Sequence, residues 1–111
     1  MNKAGAFFEE RKRLNELVLQ HAPLSIKRFF ALDQDVYGDG AIPKKYKELL
    51  GLAASFVLRC DDCIAYHVAQ AQGEGASREE IAEALAIGLV VGGSITIPHL
   101  RRVFQHLEEM G

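Results

Sequence analysis

No stretch of this chain alternates apolar and polar residues, so strands are not its building material. Apolar positions recur instead at three- and four-residue intervals, the spacing that gathers side chains on one face of a helix. Proline and glycine cut that pattern into segments. A first helix is expected over about residues 3–21, with Phe7, Leu14, Leu17 and Val18 as its stripe. Pro23 suits the first turn of a second helix, because its missing N–H would be unpaired there anyway. That helix carries Leu24, Ile26, Phe29, Phe30 and Leu32 and should stop near Tyr37, ahead of Gly38-Asp39-Gly40. Pro43 opens a third, with Tyr46, Leu49, Leu50, Leu52, Ala53 and Phe56 as a broad apolar face. A fourth runs from about Asp61 to Gly73, and Asp61 or Asp62 is expected to cap it. Ser77-Arg78-Glu79-Glu80 has the capping-box pattern and starts a fifth, with Ile81, Ala84, Leu85, Gly88 and Leu89 inward. The last runs from near Pro98 to Glu109 through Leu100, Val103, Phe104 and Leu107. The expectation is an all-α, single-domain bundle of about six helices over residues 1–111.

A chain of 111 residues is long enough for one core without staples. From Ala84 to Ile97 it carries no charge and is apolar on nearly every side, and a helix of that kind is central or lies in an interface. A fully encircled helix is hard to arrange at this size, so a homo-oligomer is expected. The run is short of the roughly 20 residues that cross a bilayer, and the N-terminus turns charged at Glu9 before a signal peptide could form. A cytoplasmic protein with no membrane partner follows as the default. Thirteen basic against 15 acidic residues give a net charge of −2, which argues against a nucleic-acid partner. Lys44-Lys45 and Arg101-Arg102 read as solvated pairs, and His21, His99 and His106 as surface or capping groups.

The only two cysteines, Cys60 and Cys63, are too few and too close to hold a fold together. Their spacing suits redox exchange or half of a metal site. Two small buried hydrophobes is the bland alternative. Cys60 and Cys63 are three apart, Cys63 and His67 four apart, so all three share one helix face. At the helix N-terminus, unpaired N–H groups and the dipole favour a thiolate. His67, one turn along, can take a proton or stabilise the anion. Arg59 would add to that stabilisation, and Asp61 and Asp62 would oppose it. A zinc site would need a fourth ligand such as His99 or Asp62. Glu48 sits beside Leu49 and Leu50 on the third helix. Its bland reading is a solvated carboxylate; its sharper one is a group carried to the site.

Glu48-x11-Cys60-x2-Cys63-x3-His67, followed by the stretch from Gly75 to Leu85, resembles the signature of the alkylhydroperoxidase D group within the carboxymuconolactone decarboxylase superfamily. The likeness covers about residues 43–95. It implies an all-α fold assembled as trimers or hexamers. It implies a Cys60/Cys63 redox pair that reduces a peroxide or a peroxiredoxin-type disulfide, with re-reduction by a dithiol such as a protein-bound lipoyl group. Glu48 and His67 would relay protons to Cys63, and no bound cofactor or metal is required. Some members carry a histidine between the cysteines. Here Asp61 and Asp62 stand there, and an acidic neighbour raises a thiol's pKa and weakens peroxidase strength. The chain resembles one helical unit of longer members, so its substrate pocket is expected to draw on a neighbouring subunit. Two alternatives stand beside this reading. One is a carboxymuconolactone decarboxylase-like enzyme using His67 as acid and base; the other is a non-catalytic, metal-binding oligomeric module.

Overall fold

The structure, a computed structural model, describes residues 2–111. Six α-helices run in order: α1 (Lys3–His21), α2 (Leu24–Val36), α3 (Lys44–Val57), α4 (Asp61–Gly73), α5 (Arg78–Gly92) and α6 (Ile97–Met110). A single 3-10 turn, Ser94–Thr96, joins the last two, and there is no strand among the described residues. The all-α expectation and the helix boundaries hold to within a residue or two.

The helices start and stop for local reasons. Asn2 caps α1 by accepting from the Gly5 N–H at 2.9 Å. Pro23 and Pro43 precede α2 and α3 in extended conformation. The capping box at α5 is complete: the Glu80 N–H donates to Ser77 Oγ at 3.1 Å, and the Ser77 N–H donates to Glu80 Oε1 at 2.9 Å. The cap of α4 differs from expectation. It is Cys60, not Asp61 or Asp62, whose side chain receives the Cys63 N–H, at 3.3 Å. The two aspartates fall in the first helical turn, where they meet the positive end of the dipole without capping it.

The core is formed where α3 packs against α4 and α5, closed by α6. Leu52, Phe56, Ile64, Val68, Ile81, Leu85, Val103 and Leu107 make one buried cluster. Gly88 lets α5 approach α3 closely: a methyl there would stand 2.7 Å from the Phe56 ring. On α5, Ile81, Leu85 and Gly88 are buried as expected, while Ala84 and Leu89 pack against the edge of the cluster.

The expected stripes of the first two helices are not buried. On α1, Phe7 is half-buried, but Leu14, Leu17 and Val18 are exposed. Helix α2 buries none of its residues, and Phe29 is 67% exposed. The outer face of α5 is equally open, with Val90 at 85%. No helix among the described residues is long and apolar enough to cross a membrane.

Candidate active site

The site is built at the junction of α3 and α4. Helix α3 ends through Leu58 and Arg59, and Arg59 adopts the left-handed conformation at φ 61°. This reversal sends the Cys60 N–H back to the Ser55 carbonyl at 3.1 Å and the Arg59 N–H to Phe56 at 3.0 Å. Cys60 is thereby fixed at the start of α4. A disulfide joins it to Cys63, with Cα atoms 5.3 Å apart. Cys60 is half-buried and Cys63 is exposed, so the second sulfur is the one that faces outward.

One turn further along α4, His67 is buried. Its Nδ1 lies 2.9 Å from Glu48 Oε1 across the α3–α4 interface. Glu48 is 1% exposed, which removes the solvated-carboxylate reading. A buried carboxylate needs partners for both oxygens. The second oxygen accepts from Lys44 Nζ at 2.8 Å, one turn earlier on α3. That hydrogen bond and the charge on Glu48 raise the Lys44 pKa, so the ammonium persists at neutral pH. A carboxylate can only accept, and a hydrogen bond between it and His67 Nδ1 places the proton on that nitrogen.

The other ring nitrogen does not meet a sulfur in the disulfide form. It faces the Tyr37 hydroxyl, with Nε2 and Oη 3.4 Å apart, and the Tyr37 ring lies against the imidazole at a centroid distance of 5.1 Å. Tyr66 packs edge-on against the opposite side of His67 at 5.2 Å. Burial pushes both tyrosine pKa values up, with Asp33 and Glu48 adding to the effect.

Cys63 opens into a cavity of about 440 Å³ between α1, α2 and α4, where Phe29, Phe30, Asn15 and Tyr66 also line the wall. Arg11, Asp33 and Gln34 supply the rest of that wall, the Arg11 guanidinium stacked 4.0 Å above the Tyr66 ring.

The acid beside the cysteines is met by a histidine and an arginine on α6. Asp61 accepts from His99 Nδ1 at 2.8 Å and from Arg102 Nη1 at 3.1 Å. Its opposition to a thiolate is therefore reduced. His99 is engaged there rather than turned to the sulfurs, and no group of three or more His, Cys, Asp or Glu side chains close enough to hold a metal occurs among the described residues. Arg59 makes no side-chain hydrogen bond or ion pair among them.

Cys60, Cys63 and His67, singled out by spacing, and Glu48, singled out by the family resemblance, thus lie along one junction, as a Cys60–Cys63 pair and a Glu48–His67 pair. Lys44, Tyr37 and Gly51 were not singled out as part of it. Lys44-Lys45 are not a solvated pair: Lys44 binds Glu48, and Lys45 binds Glu80 at 2.9 Å. The four-residue interval from Lys44 to Glu48 is the signal that could have found the first of these. Tyr37 and Gly51 carry no such interval, because their relation to His67 exists only across elements.

The sequence profile of the carboxymuconolactone decarboxylase family matches residues 23–106. The TM1620 protein of Thermotoga maritima has the same fold at 60% identity and a TM-score of 0.92, over 95% of this chain and 92% of that one. A second structure of TM1620 describes it as a carboxymuconolactone decarboxylase family protein with a suggested involvement in antioxidative response; it matches at 59% identity and a TM-score of 0.89, covering 95% of this chain and 89% of that one. The lpg0406 protein of Legionella pneumophila, of the same family, aligns at 26% identity and a TM-score of 0.88, over 98% and 97% of the two chains. An uncharacterised protein of Cupriavidus necator is 36% identical over 74 residues, 67% of this chain and 66% of its own length. A profile covering most of the chain, close structural relatives and the shared all-α architecture agree: the chain belongs to the carboxymuconolactone decarboxylase family.

Proposed function

We propose that the protein is a thiol–disulfide oxidoreductase with alkylhydroperoxidase activity, working through the Cys60/Cys63 pair with Glu48 and His67 as proton relay. The observation that carries the reading is the cysteine pair at the start of α4, with its exposed sulfur in a cavity and a buried Glu48–His67 pair one turn behind. The antioxidative setting suggested for the Thermotoga maritima relative points the same way.

In the reduced protein, His67 takes the Cys63 proton, and the thiolate attacks the peroxide. The O–O bond breaks, the alcohol leaves with the proton from His67, and Cys63 becomes a sulfenic acid. The Cys60 thiolate then attacks the Cys63 sulfur; the S–S bond forms, and hydroxide leaves with the Cys60 proton as water. An external dithiol, a lipoyl group being one such, restores the pair in two exchanges. One thiolate attacks the exposed Cys63 sulfur and expels the Cys60 thiolate; the second attacks the mixed disulfide, closing the dithiol's own disulfide and releasing the Cys63 thiolate. The Cys63 N–H and the helix dipole stabilise the leaving Cys60 thiolate. The net reaction turns a hydroperoxide and a dithiol into an alcohol, water and a disulfide. A peroxiredoxin-type disulfide partner enters by the same exchange at Cys63. The working unit in this reading is a homo-oligomer, a trimer or hexamer, in which α2 and the outer face of α5 find partners.

The test is thiol counting before and after stoichiometric peroxide. Both thiols should disappear in the wild type without cross-links between chains. Cys60→Ser should stop at a sulfenic acid that a dione reagent traps on Cys63, and Cys63→Ser should lose the fast reaction. Thiols that stay free and unreactive, or stoichiometric zinc that blocks their titration, would sink the reading.

A further inference from the structure

Of the polar contacts of His67, the one to Glu48 has a place in the reading above and the one to Tyr37 has none. Glu48 accepts from Nδ1–H, and Lys44 donates to the other Glu48 oxygen. In the neutral ring Nε2 is then bare, with its lone pair directed at the Tyr37 hydroxyl. Tyr37 comes from the cap of α2, outside the α3–α4 pair, and is 30 positions from His67 in the chain.

The surroundings are shaped for this contact. Gly51 lies on α3 one turn after Glu48 and is itself buried. A methyl at position 51 would stand 2.5 Å from Tyr37 Oη and 2.9 Å from His67 Cε1. The absence of a side chain there opens the space in which hydroxyl and imidazole meet. Lys44 Nζ sits 6.0 Å from the Tyr37 ring centroid, tying the same tyrosine to the cation that serves Glu48.

We propose that Tyr37 is a positioning residue of the relay, its hydroxyl holding His67 Nε2 in both protonation states of the ring. When His67 is neutral, the Tyr37 O–H donates to Nε2. When the ring has taken the Cys63 proton, Nε2–H donates to the same oxygen. A hydroxyl can reverse its role by rotating one O–H bond, with no heavy atom moving. The separation of 3.4 Å is long for a hydrogen bond, which suits a partner that yields Nε2 to the thiol during turnover. Because burial raises the Tyr37 pKa, the hydroxyl keeps its proton at neutral pH and remains able to donate. No covalent step is added; the inference rests on the redox reading only for the purpose of the proton.

The tautomer can be read without any turnover. In nitrogen-15 spectra of the oxidised wild type at neutral pH, His67 should carry its proton on Nδ1, with Nε2 bare and hydrogen-bonded. A neutral ring protonated on Nε2 overturns the proposal. Tyr37→Phe keeps the ring against the imidazole and removes only the oxygen. Its Nε2 resonance should move while Nδ1 stays, and peroxide kcat should fall about 10-fold with KM unchanged. An unchanged Nε2 signal, or wild-type kcat, overturns the proposal. Should the variant fail to fold, the wild-type spectrum decides alone. A protein that shows the expected spectra but consumes no peroxide refutes the peroxidase reading and leaves Tyr37 in its positioning role.

Discussion

Glu48 shows how a single residue can change meaning between sequence and structure. A glutamate beside two leucines is an ordinary surface pattern, yet it is nearly inaccessible to solvent and bound on both oxygens. His106 makes the same case. It looked like a surface group, but it lies among the Phe7 and Phe8 rings, and its buried Nε2 has no hydrogen-bond partner among the described residues. Burial pushes its pKa below the ordinary value of 6.5. A histidine held neutral in the fold takes up its proton more readily when unfolded, so acid favours the unfolded chain. Stability should be undiminished above pH 6.5 and fall as pH drops below it toward the depressed folded value. His106→Phe should flatten that part of the curve, as read from urea midpoints between pH 5 and 7.5. A wild-type slope that survives in the variant would place the acid sensitivity elsewhere.

At the scale of elements, the sequence is legible wherever a helix end obeys local chemistry. The prolines before α2 and α3 and the Ser77–Glu80 box state their purpose in the primary structure. The α3–α4 junction does not. The run Arg59-Cys60-Asp61-Asp62 reads as a tight junction, but its reversal is made by Arg59 in a conformation that favours glycine, which the run does not announce. The cap by Cys60 was missed for the same reason: aspartates are the commoner caps, but the tight reversal delivers the sulfur one position earlier. Arg59→Gly should relieve the left-handed strain and stabilise the protein by about 1 kcal/mol, offset in part by the freer unfolded chain. Thermal melts of the oxidised protein would check this; a lower Tm would show that the arginine side chain contributes more than its backbone costs.

For the whole molecule, apolar spacing marks the core but does not say that two helices leave their apolar faces largely open within the chain. The stripes on α1 and α2 have helical spacing, and periodicity says that a face is apolar without saying what covers it. Within one chain little covers α2, the outer face of α5 or Leu58, which is 76% exposed. Apolar area of this extent is characteristic of an interaction surface. Light scattering should give a mass at least three times the 12.3 kDa of the chain, consistent with the proposed assembly. Val90→Glu on α5 and Leu32→Glu on α2 should lower it. A monomeric wild type at micromolar concentration would count against oligomerisation.

The arrangement of contacts along the chain has a consequence for the order of assembly. Glu48 and His67 are 19 positions apart, and Lys44 and Glu48 only four. The clasp between the two ends, by contrast, joins Asn2 to the Glu109 carbonyl across 107 positions. Bringing distant segments together costs more chain entropy than closing a short hairpin. The α3–α4 hairpin should therefore acquire amide protection in pulsed hydrogen exchange before α1 meets α6. The carboxylate would then reach its imidazole while the termini are still searching, and mutations in the terminal clasp would chiefly hasten unfolding rather than slow the formation of the α3–α4 hairpin.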